Sequence, residues 1–452
     1  MSQKPILIGL LLFTAIFFFF YPANTGIVDE TAYLSTTYTL QNGRLYYDEA
    51  GVNSTPASIS INSHLISRYP PGNSILLLPF TKLNYKFIFL RGYILLLLGV
   101  ILLIAILSHY NLPSYYALLF LFHPSIVLYS RTIMSDLPAT IFALAGLLFF
   151  IKKKYFLAGI ILGLSIAIRY PLLLIPFALW VVLSIKKEFI NSIKFLIGVI
   201  VGLSPLLIYH ISIFNKITGP AGANIIGFSM KNLPVMFFQF FLALNILYPL
   251  MLLTCFRTKL NEKWYFIFPA LIFIIFFSFQ YYIDTGKNFI ETLIRGQRYM
   301  LPVIPFLIIP YSEVLERIKF FKKILTVLII VLFFFNIILS IKHQRFLNKQ
   351  TYYQNKIYEY TKDADLIICN KDIYELINPF IKSIKWVSFE SEGKLINVNI
   401  SNGNKKIYLA CLARNEHIKN LFYELLNKTG STKGIYKEES PHYFAIYLLQ
   451  NK

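Results

Sequence analysis

Eleven apolar segments dominate the chain up to residue 341, and they limit the folds that it can adopt. A helix needs about 20 apolar residues to cross the roughly 30 Å hydrocarbon core of a bilayer. By this criterion the segments predict membrane-spanning helices, several of them short, and none contains an acidic residue. The predicted spans are 5–21, 87–107, 114–130, 137–151, 155–169, 171–185, 194–213, 232–254, 264–282, 299–312 and 324–341.

The composition indicates a polytopic α-helical membrane protein. Hydrophobic residues make up 56% of the chain and charged residues 14%, whereas charged residues make up about 25% of a typical soluble domain. The net charge of +21 comes largely from short basic clusters between apolar segments. That distribution follows the positive-inside rule of membrane proteins. We therefore expect a lipid bilayer as a partner, and no nucleic acid.

The charge pattern also predicts an orientation. With the N-terminus in the cytoplasm, the dense basic clusters at 152–154, 186–187, 257–263 and 317–323 all lie inside. The same arrangement collects isolated charged residues on the outer face, namely Asp29, Glu30, Arg68, Arg131, Asp136, Arg169, Asp284, Glu291, Arg295 and Arg298. We expect a multi-pass plasma-membrane protein whose active site and C-terminal domain lie on the outer side.

A change in composition predicts two domains. Of the 22 acidic residues, 11 follow residue 341. We predict a transmembrane domain over 1–341, with a large outer loop at 22–86, and a small soluble α/β domain over 342–452. Cys369 and Cys411 lie in the second domain and can pair only if it faces an oxidising space. Its predicted strands are 365–370, 385–389, 406–411 and 442–449, and its predicted helices are 372–380 and 417–427.

Three carboxylates are candidates for catalysis. Asp29 and Glu30 follow the first apolar segment by about eight residues, in a region poor in acids. A carboxylate held at the membrane surface can accept a proton from an acceptor hydroxyl. The alternative is that both acids solvate a loop or cap a helix beginning near Thr31. Asp136, ahead of Pro138, is likewise compatible with helix capping and with catalysis.

Several arginines are candidates for binding an anion. Arg91, Arg131, Arg169 and Arg298 lie near the outer ends of four different segments. A single arginine near a helix end usually extends its charged group to the membrane interface. Several arginines on one face instead predict a phosphate site, because one guanidinium group can donate hydrogen bonds to two phosphate oxygens at once. After Arg68, the pair Pro71 and Gly72 predicts a turn into an interfacial helix.

These residues, in their order along the chain, resemble the GT-C membrane glycosyltransferases, particularly the protein O-mannosyltransferases and the lipid A aminoarabinose transferases. The resemblance covers about residues 1–341 and the soluble tail adds no motif. It rests on Asp29, Glu30 and Tyr33 after the first segment, Pro70 and Pro71 in the outer loop, Arg131 and Asp136 after the third segment, and Arg298, Tyr299 and Pro302 at a late one.

The resemblance implies roles for these residues. In that family the first-loop aspartate is the general base and the donor is a sugar on a polyprenyl phosphate. Asp29 is then the base, and Glu30 and Asp136 position acceptor or sugar. Arg68 would lie near the donor phosphate. From their shared outer face, Arg91, Arg131, Arg169 and Arg298 are expected to bind that phosphate too, and Tyr33, Tyr69 and Tyr299 are expected to position substrate. The chain departs from the aminoarabinose transferases, which have a lysine before the paired prolines, where Arg68 and Tyr69 stand here.

The expected function is inverting transfer of a sugar from a polyprenyl-phosphate donor to a hydroxyl acceptor, which is a glycan, a lipid or a protein. The sequence shows no spacing of residues typical of a metal site, so we expect no required cofactor. Dependence on a divalent cation is compatible with the sequence. One alternative is a transporter or flippase of lipid-linked sugars, which would place ionisable groups near the bilayer midplane, often in inverted repeats. Another is a scaffold whose working part is the tail.

Overall fold

The computed structural model describes residues 4–46, 58–61, 64–220, 228–280, 294, 297–374, 376–381, 385–391, 394–395, 406–430, 432–440 and 442–450. The predicted outer-face residues Asp284, Glu291 and Arg295 lie outside this part of the chain. The chain forms two compact units. A helical unit comprises Met1–Tyr21 and Tyr69–His343, and an α/β unit comprises Pro22–Arg68 and Gln344–Lys452.

The described helices include at least one in each of the eleven predicted spans. In chain order they are α1 (Lys4–Phe19), α2 (Val28–Gln41), α3 (Gly72–Leu83), α4 (Leu90–His109), α5 (Ala117–Leu121), α6 (Pro124–Ser130), α7 (Asp136–Ile151), α8 (Tyr155–Ile168), α9 (Leu174–Ile185), α10 (Phe189–Phe214), α11 (Leu233–Ile246), α12 (Met251–Cys255), α13 (Trp264–Ser278), α14 (Ile304–Arg317), α15 (Lys319–Tyr360), α16 (Lys371–Tyr374) and α17 (Glu416–Thr429). Short 3₁₀ turns precede several of them, at Tyr85–Phe89, Ser114–Tyr116, Tyr170–Leu173, Met230–Asn232 and Gln297–Val303. Within the described residues, four helical stretches are long and apolar enough to cross a membrane, namely Tyr85–His109, Phe189–Phe214, Arg298–Arg317 and Ile324–Tyr360.

Three predicted spans differ in detail from the helices. The span 114–130 is divided between α5 and α6, with Pro124 at the first position of α6. The span 232–254 is divided where Leu250 takes a left-handed conformation (φ 56°). The last predicted span, 324–341, is part of a longer helix, because α15 continues to Tyr360. Its polar second half contains neither glycine nor proline, so nothing in the local sequence ends the helix.

Small residues allow two helices of the helical unit to pack closely. Gly159 and Gly163 on α8, and Gly198 and Gly202 on α10, form two GxxxG patterns that face one another. A Cβ atom on any of these glycines would lie 2.1–2.4 Å from a main-chain carbonyl oxygen of the other helix. Close backbone packing of this kind drives helix association in lipid, where the hydrophobic effect between helices is absent. A Cβ atom added to Gly92 of α4 would likewise lie 1.9 Å from the main-chain carbonyl oxygen of Ser130.

The α/β unit contains a five-stranded sheet with the order β4-β3-β7-β9-β8. Strand β3 is parallel to β4 and β7, and β9 is antiparallel to β7 and β8. The nine strands of the described chain are β1 (Ser58–Ile61), β2 (His64–Ser67), β3 (Leu366–Cys369), β4 (Trp386–Ser388), β5 (Glu390–Ser391), β6 (Lys394–Leu395), β7 (Ile407–Ala413), β8 (Thr432–Glu438) and β9 (Tyr443–Leu449). All seven residues of β7 are buried, because helices cover both faces of the sheet.

The predicted secondary structure of the tail holds for four strands and one helix, and it needs two corrections. The helix predicted at 372–380 is only the single turn α16. Pro379 opposes the predicted end at 380, since proline disfavours the helical conformation of the residue before it, Asn378. The edge strand β8 was missed, because its sequence is largely polar. Cys369 and Cys411 are both buried and free, and they belong to the hydrophobic clusters on opposite faces of the sheet.

Helix α2 packs within the α/β unit although it precedes the tail by more than 300 residues. Val28 contacts the hydrophobic cluster on one face of the five-stranded sheet. Tyr38 packs edge-on against Phe380 at 5.4 Å between ring centroids. The helix that bears Asp29 and Glu30 is thus held by the C-terminal sheet domain.

Candidate functional site

The helical unit contains a buried ion cluster around Asp136. This residue lies in the first turn of α7, and its side chain is inaccessible to solvent. Its Oδ1 accepts a hydrogen bond from Arg169 Nη1 at 2.6 Å, and Arg298 Nε lies 3.2 Å from Oδ1 and 3.3 Å from Oδ2. Both guanidinium groups lie over the ring of Tyr299, with Cζ 5.4 and 5.6 Å from its centroid. We call these four residues the arginine cluster.

The arginine cluster has an excess of positive charge. Among the four residues of the cluster, two guanidinium groups contact one carboxylate, so their formal charges sum to +1. The side chains of Arg169 and Arg298 keep 10% and 19% of their surface exposed, while Asp136 keeps none. Electrostatic interactions are stronger in such a poorly hydrated place than in water. The exposed edge of the cluster is therefore suited to an anion.

The other two candidate arginines of the helical unit, Arg91 and Arg131, donate hydrogen bonds to acceptors within the protein. Arg91 is 2% exposed, and its guanidinium donates to Asn73 Oδ1 and to the Met134 carbonyl, the latter at 3.0 Å. Arg131 is 1% exposed and donates to the carbonyl oxygens of Phe20 and Ser340. Each arginine thereby connects separate segments of the helical unit.

Asn73 was not anticipated from the sequence. It is fully buried at the start of α3, where its Nδ2 donates to the Ile133 carbonyl at 3.0 Å while its Oδ1 accepts from Arg91. The pair Asn73 and Arg91 therefore holds the turn at 131–135, which leads directly into Asp136. The sequence feature that could have indicated Asn73 is its position directly after the Pro71 and Gly72 turn. This feature is not specific, because many solvated loops have an amide side chain at the same place.

The two acids of the first loop differ in their surroundings. Both lie in the first turn of α2 in the α/β unit. Glu30 is 2% exposed, and its Oε2 accepts hydrogen bonds from the backbone N–H groups of Gly26 at 2.8 Å and Ile27 at 3.3 Å. Glu30 thus caps the helix, as the structural alternative predicted. Asp29 is half-buried, and Tyr33, one turn further on, is buried.

Arg68 and Tyr69 are both half-buried. They fall on either side of the division between the two units, since the α/β unit includes Arg68 and the helical unit begins again at Tyr69. The turn at Pro71 and the helix α3 that follows it occur where the sequence predicts them.

Comparisons with known proteins support the fold. No family model and no curated protein sequence matches the chain. Among solved structures, ArnT from Cupriavidus metallidurans in the apo state aligns with a TM-score of 0.70 and 11% identity, over 98% of each chain. The same protein bound to undecaprenyl phosphate aligns with a TM-score of 0.68 and 10% identity, over 100% of this chain and 99% of that one.

The chain has the fold of ArnT. This match confirms the predicted fold class, a polytopic α-helical membrane protein of GT-C type with a small C-terminal sheet domain. The protein is a multi-pass membrane protein. Within the residues that the structure describes, this ArnT-like chain brings together no three His, Cys, Asp or Glu side chains in a group that could hold a metal ion.

Proposed function

We propose that the protein is an inverting glycosyltransferase that takes its sugar from a polyprenyl-phosphate donor. The observation that supports this most is the arginine cluster, whose excess positive charge suits a phosphate. The fold adds support, because one of the ArnT structures that share it is bound to undecaprenyl phosphate. The acceptor is a hydroxyl group of a glycan, a lipid or a protein, and a role in building cell-envelope glycans is part of the proposal.

The reaction is a single displacement. The acceptor hydroxyl gives its proton to the Asp29 carboxylate, and its oxygen attacks the anomeric carbon of the sugar. The bond between that carbon and the phosphate oxygen breaks, the configuration inverts, and the polyprenyl phosphate leaves with an added negative charge. Arg169 and Arg298 stabilise that charge in the transition state, a type of contribution commonly worth several kcal/mol.

Other residues act by positioning. Asp136 holds the two guanidinium groups over Tyr299, and Glu30 fixes the first turn of the helix that bears Asp29. Arg91 and Arg131 stabilise the segments that lead into Asp136. Arg68, Tyr69 and Tyr33 are proposed contacts of the donor or the acceptor, by their resemblance to the family pattern.

Binding of undecaprenyl phosphate tests the role of the arginine cluster. The Arg298→Gln variant should bind this lipid at least about tenfold more weakly, because a charged hydrogen bond to phosphate is worth about 1.5–3 kcal/mol. The matched control is Arg345→Gln, which removes an exposed arginine. Equal affinities of the two variants would contradict the assignment of the phosphate to this cluster.

Turnover tests the role of Asp29 separately. With undecaprenyl-phosphate sugar and a membrane extract as the pool of acceptors, Asp29→Asn should lose transfer by about 10²-fold or more while donor binding is retained. Asp363→Asn, at an exposed ion pair in the tail, serves as control. Parental turnover by Asp29→Asn would remove the general base from this residue. Movement of donor across proteoliposomes without any transfer would favour the flippase alternative.

A further inference from the structure

A second group of charged side chains lies at one edge of the five-stranded sheet. Strands β3, β4 and β7 are parallel, so their carboxyl ends meet at the same edge. Asp372, Glu390 and Arg414 follow these three strands closely. Strand β9 runs antiparallel to β7 with Ala413 opposite Tyr443, which places His442 at this edge as well.

The topology marks this edge as a place where ligands bind. From β3 the chain passes to β4 on one side, whereas from β7 it continues to β8 and β9 on the other. The helices that follow β3 and β7 cover opposite faces: Tyr374 of α16 packs in one hydrophobic cluster and Phe422 of α17 in the other. The crevice between β3 and β7 is therefore a topological switch point, where ligands bind in open α/β sheets.

Polar side chains span this crevice. Arg414 Nε lies 3.3 Å from Asp372 Oδ1, and the two side chains are 40% and 20% exposed. Beneath them the buried Asn370 donates to the Leu412 carbonyl and accepts from the Leu412 N–H, both at 3.0 Å, which holds the ends of β3 and β7 together. Glu390 accepts a hydrogen bond from the Lys371 N–H at 3.2 Å.

The two carboxyl groups are poorly hydrated at this edge. Burial raises the pKa of Asp372, although Arg414, Lys371 and His442 act in the opposite direction. Burial, with the neighbouring Asp372, likewise raises the pKa of Glu390. Folding thus holds two acids in surroundings that disfavour their charge. Arrangements of this kind are found preferentially where a protein binds or transforms a ligand.

We propose that this edge is a second ligand site, which binds a hydroxyl-rich carbohydrate between β3 and β7. We call Asp372, Glu390, Arg414 and His442 the sheet-edge site. Carboxylate oxygens accept hydrogen bonds from neighbouring hydroxyls, while guanidinium and imidazole N–H groups donate to the remaining oxygens. Two acids are balanced by Arg414 and Lys371, so the group favours a neutral polar ligand over a free anion or cation. The site goes beyond the proposed transfer reaction, because it needs neither donor lipid nor Asp29.

Saturation-transfer NMR on the full-length protein in detergent tests this site, with mannose, galactose and N-acetylglucosamine as neutral probes. Broadening of the phosphorus-31 signal of inorganic phosphate tests the anion in parallel. At least one sugar should bind, and Asp372→Asn should weaken that binding at least about tenfold. The matched control is Asp363→Asn, which removes an aspartate at the opposite end of β3 and should bind as the parent does. Glu390→Gln provides a second variant should Asp372→Asn fail to fold.

The outcomes separate this proposal from the transfer reaction. Sugar binding that survives in Asp29→Asn and is lost in Asp372→Asn or Glu390→Gln supports a sheet-edge site independent of catalysis. Absence of binding by every sugar would overturn the proposal, and so would equal binding by Asp372→Asn and Asp363→Asn. Binding of phosphate without any sugar would overturn the ligand class.

Discussion

Removing the Asp136 carboxylate should destabilise the helical unit strongly. The Asp136→Asn variant removes the carboxylate charge that the guanidinium groups of Arg169 and Arg298 both contact, at side-chain exposures of 10% and 19%. Breaking a buried pair in this way costs about 3–5 kcal/mol, whereas an exposed pair is worth about 1 kcal/mol or less. Because both arginines keep a small exposed surface, we expect about 3 kcal/mol.

Thermal unfolding in detergent measures this effect, with Trp180 and Trp264 as fluorescent reporters in the helical unit. At about 2 °C per kcal/mol for a unit of this size, the Tm should fall by about 6 °C. The double variant Asp136→Asn with Arg169→Gln also removes one of the two guanidinium charges that contact Asp136 in the parent. It should recover at least about 1 kcal/mol relative to the sum of the single variants.

Two results would refute this reasoning. An Asp136→Asn variant that melts within about 1 °C of the parent would show that the carboxylate is not the counter-charge of a buried cluster. Strictly additive effects of Asp136→Asn and Arg169→Gln would show that the two groups do not interact in the folded protein.

Three further predictions concern other parts of the chain. Gly92→Ala should destabilise the helical unit by about 2 kcal/mol in thermal unfolding, because its Cβ would meet a main-chain carbonyl oxygen at 1.9 Å, and the backbone cannot yield cheaply. Folding raises the pKa of Asp372, so the parent loses stability as pH rises from about 4, the unfolded value, through the folded pKa. Asp372→Asn should therefore melt above the parent at pH 7, with a gain that shrinks toward pH 4, and a constant gain would contradict the pKa argument. Labelling with an impermeant thiol reagent on intact cells tests the predicted orientation. A cysteine introduced at Glu416 should react and one introduced at Lys152 should not, and the three native cysteines should react little because they are buried. The reverse labelling pattern would show that the orientation is inverted.

The adjacent acids Asp29 and Glu30 show what the sequence could not resolve. They follow the same apolar segment and have the same charge, so both were candidates for catalysis and for capping. The structure distinguishes them because α2 begins at Val28, and neighbouring side chains on a helix point about 100° apart. Glu30 is thereby directed back to the Gly26 and Ile27 N–H groups. Only the position of the helix start decides which acid becomes the cap.

The arginines present the same difficulty over longer distances. Asp136 is separated from Arg169 by 33 residues and from Arg298 by 162, so their meeting depends on how the helices pack. Arg91 and Arg131 occupy similar places in the sequence, yet they donate to neutral acceptors that include main-chain carbonyls. A carbonyl acceptor leaves no trace in the sequence, because every residue has one. Apolar segments, in contrast, are readable directly, since a bilayer requires their length.

The most direct measurement of the central claim is the choice of donor. Nucleotide sugars are made in the cytoplasm and do not cross membranes unaided, whereas we predict that the candidate catalytic residues lie on the outer face. The purified protein, supplied with an acceptor extract, should transfer sugar from undecaprenyl-phosphate sugar and ignore the matching nucleotide sugar. Efficient transfer from the nucleotide sugar in the absence of any lipid donor would contradict both the proposed donor and the outer-face mechanism.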